Sequence, residues 1–286
     1  MSGQRLAVRK TYKLYIGGAF PRSESGRSYP VLDAEGKVAV RPARASRKDI
    51  RDAVRAARAA WKEWSEATAY NRGQVLYRVA ELMEGRRQQF IQELQTLGAP
   101  DPDREVSAAI DRWVWYAGWS DKVHHVIGTV NPVAGPYFDF TFPESTGVVG
   151  MVAPQEPALL GVVSRLAPVV VSGNTVVVLA SEKQPLPAVT LCEVLATSDV
   201  PAGVVNVLTG YTKELVPWLA SHMDVNAIDL TGVPEELIEE AEASAASNVK
   251  RTVRDGSTDW FDESAQSPYA IIDFMEMKTV WHPMGA

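Results

Sequence analysis

Gly147-Val-Val-Gly-Met-Val-Ala-Pro154 is the stretch on which the fold turns. It is a short apolar run closed by proline and reads as a strand over residues 147–153. Working outward, residues 159–171 read as a helix. Asn174-Thr-Val-Val-Val-Leu179 follows, a continuous β-branched run with the pattern of a strand buried on both faces. The alternation continues as helix 185–196, strand 204–208, helix 213–221, strand 225–230, helix 235–246 and strand 249–253. Strands alternating with helices define βαβ units, a parallel sheet and right-handed crossovers. The expected class is α/β, with an open parallel Rossmann-like sheet flanked by helices.

Upstream, residues 12–18 and 28–32 read as short strands around the turn-rich residues 21–27, an N-terminal hairpin. Ser46 with Asp49 three residues on forms a capping box. Ile50, Val54, Ala57 and Trp61 follow at helical spacing. A second helix is expected over residues 70–97, with Val75, Leu76, Val79, Leu82 and Met83 on one face. A third starts near Pro102 and carries Trp113, Trp115, Tyr116 and Trp119, which read as packing between helices. Residues 137–142 alternate strictly, with Phe138, Phe140 and Phe142 on one face. After Val253 the pattern stops. Residues 255–267 are polar, with Asp255-Gly256-Ser257 as a turn, and residues 269–281 return as a strand-like tail through Ile272, Phe274, Glu276, Lys278 and Val280. The organisation expected is therefore fourfold. Residues 1–130 are the hairpin and helices of a nucleotide-binding-type domain, and residues 131–146 with 269–286 a small antiparallel β-flap. Residues 147–254 are the Rossmann-like core, and residues 255–268 a polar loop. The phenylalanine face needs cover, since each buried ring contributes roughly 1.5–3 kcal/mol. Its own domain or a partner chain can supply that cover, and an exposed face is an interaction patch.

Composition narrows the function. The 286 residues are 46% apolar and 22% charged with a net charge of −6, which argues against nucleic-acid or anionic-membrane partners. No apolar run approaches the length of a membrane span, and the N-terminus has no apolar segment of a signal peptide. One cysteine, Cys192, excludes an intrachain disulfide, and a cytoplasmic location is expected. Cys192 lies in a helix interior with no cationic neighbour and reads as structural. His124, His125, His222 and His282 form no ligand cluster, so no metal is expected. No Gly-x-Gly-x-x-Gly follows a strand, and there is no Walker A motif.

Several segments carry a resemblance. Tyr12-Lys-Leu-Tyr-Ile-Gly-Gly-Ala-Phe20, Gly147 to Pro154, Leu166-Ala-Pro168 with Ser172 to Leu179, Val200-Pro-Ala-Gly-Val-Val-Asn-Val-Leu-Thr-Gly210, Asn248-Val-Lys-Arg251 and Phe274-Met-Glu-Met-Lys-Thr-Val-Trp281 are similar, in order, to the aldehyde dehydrogenase family. They cover most of residues 12–253 and 269–281. The pattern most resembles the C-terminal, non-catalytic module of the double-length members of that family. The resemblance implies an NAD or NADP cleft. Its vestiges are Pro154, Glu182, Gly210, Thr231 and Gly232.

The departures carry as much meaning. The family's Pro-Trp-Asn, whose Asn donates to the oxyanion, is matched by Pro154-Gln155-Glu156. Losing one such donor costs about 2.7–4 kcal/mol of transition-state stabilisation. The ribose-gripping Lys of Lys-Pro-Ser-Glu is matched by Leu179, with Glu182 kept, and losing that charged donor costs about 1.5–3 kcal/mol. Thr-Gly-Ser near the pyrophosphate is matched by Thr231-Gly232-Val233, and the glycine a few residues later by Leu237. The general-base Glu falls on Asp255. Between Arg254 and the tail, the family's catalytic domain with its nucleophilic cysteine is replaced by the short polar loop, so no catalytic residue is expected.

What the resemblance implies is a non-catalytic subunit with no tightly held cofactor. Such a subunit would assemble with a catalytic aldehyde dehydrogenase subunit, with copies of itself, or with both, through Phe138, Phe140, Phe142 and Phe274. The alternative is an NAD(P)-dependent aldehyde oxidoreductase family member that keeps weak cofactor binding or works only in complex with a catalytic partner.

Overall fold

The structure is a computed structural model that describes residue 8, residues 10–256 and residues 259–285. Its first strands, β1 (Val31–Leu32) and β2 (Val38–Val40), make a small antiparallel pair. The hairpin expected from residues 12–18 and 28–32 does not form. Gly17 and Gly18, at φ +58° and +79°, instead turn the chain tightly between Ile16 and Ala19, and two positive φ angles in succession are what glycine allows. Tyr15 then exchanges backbone hydrogen bonds of 2.9 and 2.8 Å with Val207. A long-range sheet edge takes the backbone groups that a local hairpin would have used.

Helix α1 (Arg47–Glu66) opens on the capping box, with Ser46 accepting from Asp49 N–H and Asp49 accepting from Ser46 N–H. It buries Ile50, Ala53, Val54, Ala57 and Trp64. The single helix expected over residues 70–97 is two, α2 (Ala69–Gly85) and α3 (Arg87–Thr96). The break falls at Gly85-Arg86, where glycine is a poor helix former and Arg86 leaves helical geometry at φ −111°. Helix α4 (Pro102–Trp119) fully buries Trp113 and Tyr116, while Trp115 packs edge-on to Tyr116 at 4.8 Å. The short α5 (Val123–Ile127) leads to β3 (Thr129–Asn131) and β4 (Tyr137–Ser145).

The core alternates as the sequence pattern predicts. It runs β5 (Val148–Val152), α6 (Ala158–Val171), β6 (Thr175–Leu179), α7 (Leu186–Leu195), β7 (Val205–Leu208), α8 (Thr212–Ala220), β8 (Ala227–Asp229), α9 (Glu235–Ala246) and β9 (Arg251–Val253). The sheet is parallel throughout, in the order β7-β6-β5-β8-β9. Every residue of β5, β6, β7 and β8 is buried, which is why these strands read as continuous apolar runs. One face packs against α6 and α7, with α2, α3 and α4 outside them. The other packs against α1, α8 and α9. The order reverses between β5 and β8, and a crevice at such a switch point is where open α/β sheets bind ligands.

Residues 259–268 are more than a polar loop, because they are held against the core. Arg112, buried on α4, donates to the carbonyls of Trp260 and Ala265, both at 2.9 Å. Trp260 is itself buried in the main core. The tail starts as a helical turn, α10 (Tyr269–Ile272), rather than as strand. Pro268 opens that turn and Ser267 Oγ accepts from Tyr269 N–H. Strand β10 (Met275–Pro283) follows and pairs antiparallel with β4 from Met275↔Ser145 to Pro283↔Tyr137. With β3 on the other side of β4, this is the expected flap.

Phe138, Phe140 and Phe142 form a row along β4, with ring centroids 5.4 and 5.9 Å apart, the first pair tilted and the second stacked. Val130 and Val280 stand opposite Phe140 on the two neighbouring strands. This face is the open one: Phe138 is 43% exposed and Val130 68%. The opposite face buries Asp139, which accepts from Asn131 Nδ2. Phe274 does not belong to the flap surface. It is fully buried in the main core, and its carbonyl accepts from Asn174 Nδ2 at 2.7 Å. It is removed from the surface by the α10 turn that precedes it, which corrects its assignment as a partner contact.

Candidate functional site

At the switch point, the loops after β5, β6 and β8 enclose a cleft of 590 Å³. Pro154, Glu182, Thr231 and Gly232, four of the five residues singled out from the sequence, line it, and Gly210 does not. Lys183, Thr212, Pro234 and Trp260 also line it and were not singled out. They arrive from separate loops and one helix start, and no local pattern marks them.

The retained polar groups are bonded within the chain. The Glu182 carboxylate accepts from Thr212 N–H at 2.8 Å and so closes the N-terminus of α8. Gln155, where the family has Trp, accepts at Oε1 from Ser181 Oγ, Glu182 N–H and Lys183 N–H at 3.2, 2.9 and 3.3 Å. Thr231 donates its hydroxyl to Asp229 at 2.5 Å and accepts from Asp255 N–H at 2.9 Å. Gly232 is set by packing: a Cβ there would lie 2.1 Å from the Ala153 carbonyl oxygen. Close approach of two backbone segments explains this glycine with no ligand.

A dinucleotide's pyrophosphate needs free N–H donors, usually at a helix N-terminus. Three helices start near the cleft. Leu159 and Leu160 N–H of α6 both donate to Glu105 Oε1, at 2.7 and 3.3 Å. Burial raises the Glu105 pKa above the ordinary carboxylate value, and these two N–H groups offset only part of that rise. Thr212 of α8 is taken by Glu182. Helix α9 begins after Pro234, which has no N–H, and carries Glu235 and Glu236 in its first turn. Around the cleft itself stand the carboxylates of Glu156, Glu182 and Asp255 against the one ammonium of Lys183. The residues present do not fit a tightly held dinucleotide.

Catalytic positions fare no better. Glu156 is exposed and places a carboxylate where the family has a donating Asn. Asp255, at the general-base position, is ion-paired to Arg165 Nη1 at 2.8 Å. Arg165 is 2% exposed and also meets the fully buried Asp229 at 2.7 Å. Burial opposes the Arg165 charge, and the two aspartates outweigh it, so the guanidinium pKa stands above its ordinary value. Cys192 is fully buried on α7, its Sγ 3.1 Å from the Ala188 carbonyl, and burial pushes its thiol pKa well up. Such a thiol is a poor nucleophile. Among the described residues, no group of three or more His, Cys, Asp or Glu is placed to hold a metal.

A cleft at the switch point of an open parallel βα sheet is the arrangement in which such folds bind ligands. The sequence profile of the aldehyde dehydrogenase family matches residues 20–257. Human retinal dehydrogenase 2 is 35% identical over 253 residues, 85% of this chain and 48% of that protein. A putative aldehyde dehydrogenase from Burkholderia cenocepacia superposes with a TM-score of 0.80 at 29% identity, covering 85% of this chain and 50% of that one. The NAD+ complex of an aldehyde dehydrogenase from Bacillus cereus superposes at 0.78 with 25% identity and the same shares. The chain belongs to the aldehyde dehydrogenase family, and it spans about half the length of the curated relatives it matches. No helix among the described residues is long and apolar enough to cross a membrane.

Proposed function

We propose that this chain is a non-catalytic member of its family that acts by association, as a cytoplasmic structural partner of a catalytic aldehyde dehydrogenase subunit, of further copies of itself, or of both. One observation carries the reading. From Val253, the end of the last core strand, the chain reaches the tail through residues 254–268, of which Trp260 and Ala265 are held against the core by Arg112. No described residue on that path is a cysteine, and Cys192 is buried elsewhere. Thiolate attack on an aldehyde therefore has no nucleophile here. The cleft supports the same reading, since its backbone donors at Glu182, Lys183, Thr212, Leu159 and Leu160 are bound internally.

What remains available is the flap. Its phenylalanine row, with Val130 and Val280 opposite Phe140 and with Lys278 and His282 opposite Phe142 and Phe138, is an apolar strip edged by polar groups on a three-stranded sheet, a form that suits an association surface. The test separates chemistry from scaffold. Titration calorimetry with NAD and with NADP is expected to give no binding tighter than roughly millimolar, about −4 kcal/mol. Turnover of aldehydes with either cofactor is expected to stay at background, and Cys192→Ala to change nothing. Micromolar affinity for either dinucleotide, or turnover that Cys192→Ala abolishes, contradicts the reading.

A further inference from the structure

A cavity of 360 Å³ opens between residues 29–32, the end of α3 and the turn that follows β6, with Tyr211 also on its wall. Pro30, Val31, Leu32 and Leu97 make part of that wall apolar. The polar part carries both signs of charge, the carboxylates of Glu156 and Glu182 and the ammonium of Lys183. Tyr29 lines the same cavity and is 2% exposed, its ring centre 5.2 Å from that of Tyr211. The Tyr29 hydroxyl is buried and makes no hydrogen bond with any described residue. Burial raises its pKa and the Glu182 carboxylate adds to the rise, so the group stays a phenol with a proton to donate. The Gly210 N–H lies near its oxygen and offsets part of that rise without forming a hydrogen bond, and Glu182 is turned to Thr212 N–H. A buried donor left in this way is costly unless something in the cavity accepts from it.

We infer that this cavity binds an α-amino acid with an apolar side chain, its carboxylate accepting from Tyr29 O–H beside Lys183, its ammonium facing Glu156 and Glu182, and its side chain against Val31, Leu32 and Leu97. Each part of the wall removes an alternative. A ligand with negative charge alone meets two carboxylates. An alkylammonium with no acceptor leaves the Tyr29 proton unbonded. An uncharged apolar molecule also leaves it unbonded, and takes water from three charged groups. A zwitterion carries both charges on neighbouring groups and pairs each with its opposite on one wall. The cavity lies at the small end of ligand pockets, roughly 300–1,000 Å³, as a molecule of this size requires.

The inference is independent of the association reading, because none of these residues lies on the flap. It is tested by titrating the full chain, with its backbone amide signals followed by NMR. The probes are L-leucine, 4-methylpentanoate, which lacks the ammonium, and 3-methylbutylamine, which lacks the carboxylate. L-Leucine is expected to shift signals around the cavity saturably and to bind about tenfold or more tightly than either analogue, a factor one charge-assisted contact supplies. Tyr29→Phe removes a hydroxyl that has no partner in the free protein, so the unfolding midpoint is expected to hold. L-Leucine and 4-methylpentanoate are expected to weaken about three- to tenfold in that variant, and the amine to be unaffected. Glu156→Gln is expected to do the reverse, weakening L-leucine and the amine but not 4-methylpentanoate. No saturable shift with L-leucine, equal affinity for the three probes, or L-leucine binding unchanged in Tyr29→Phe overturns the inference.

Discussion

Asp229→Ala is expected to destabilise the fold by about 3–5 kcal/mol, the cost of leaving a buried charge without its partner. Asp229 is fully buried at the end of β8, and its Oδ2 meets Arg165 Nε at 2.7 Å. Its Oδ1 takes both the N–H and the hydroxyl of Thr231, at 3.0 and 2.5 Å. Removing it leaves the Arg165 guanidinium inside the core with Asp255 as its remaining aspartate partner, and Arg165 Nη2 already has no hydrogen-bond acceptor among the described residues. Urea denaturation measures the loss. Asp255→Asn is expected to cost less, since Asp255 is 24% exposed and water can replace part of its contact. The double variant Arg165→Leu/Asp229→Leu should recover much of the stability, because it removes the charge together with its partner. An Asp229→Ala variant within ~1 kcal/mol of the parent would show that the ion pair holds nothing together.

Phe274→Ala carries the second large effect, also about 3–5 kcal/mol, by loss of a buried ring and the cavity left behind. Phe274 is fully buried, packs in the main core, and lies with its ring centre 5.7 Å from the Arg165 guanidinium. It ties the tail to α6, and with Ile271 it fixes where β10 departs to meet β4. Deleting residues 269–286 removes both side chains and strips one neighbour from β4, so it should lower stability at least as much. The diagnostic contrast lies on the flap. Phe138→Ala, at a ring 43% exposed, should cost well under half as much. Thermal or urea unfolding of the two variants side by side checks this. Equal losses would place Phe274 and Phe138 in the same environment, against the structure.

The core was legible because buried parallel strands must be apolar on both faces. Val148 to Val152 and Thr175 to Leu179 have no other reading that also fits the helices between them. The N-terminal pairing was not legible, because Tyr15 answers to the edge of β7 nearly two hundred residues away rather than to its neighbours. The Gly17-Gly18 pair was the local signal that marked the true turn. Of the cleft, Pro154, Glu182, Thr231 and Gly232 were visible through the family resemblance, since each sits at the carboxyl end of a strand. Glu105 was invisible. It lies in an ordinary helical run, and only the packing of α4 on α6 brings its carboxylate to the Leu159 and Leu160 N–H groups. The polar composition of residues 255–267 hid the anchoring of Trp260, because the bonds that hold the loop are made by its backbone carbonyls and are blind to side-chain identity.

Association through the flap is the central claim, and sedimentation tests it most directly. The chain and its Phe140→Asp variant are each run across a concentration series, alone and mixed with a full-length aldehyde dehydrogenase from the same organism. Phe140 is the middle ring of the row, between Val130 and Val280, so a carboxylate there charges the centre of the face while leaving the buried core untouched. The predicted result is a complex, with itself or with the catalytic enzyme, that forms with rising concentration and is lost in Phe140→Asp while the unfolding midpoint stays near that of the parent. A chain that remains a monomer in both settings, or a complex that Phe140→Asp leaves intact, contradicts the claim.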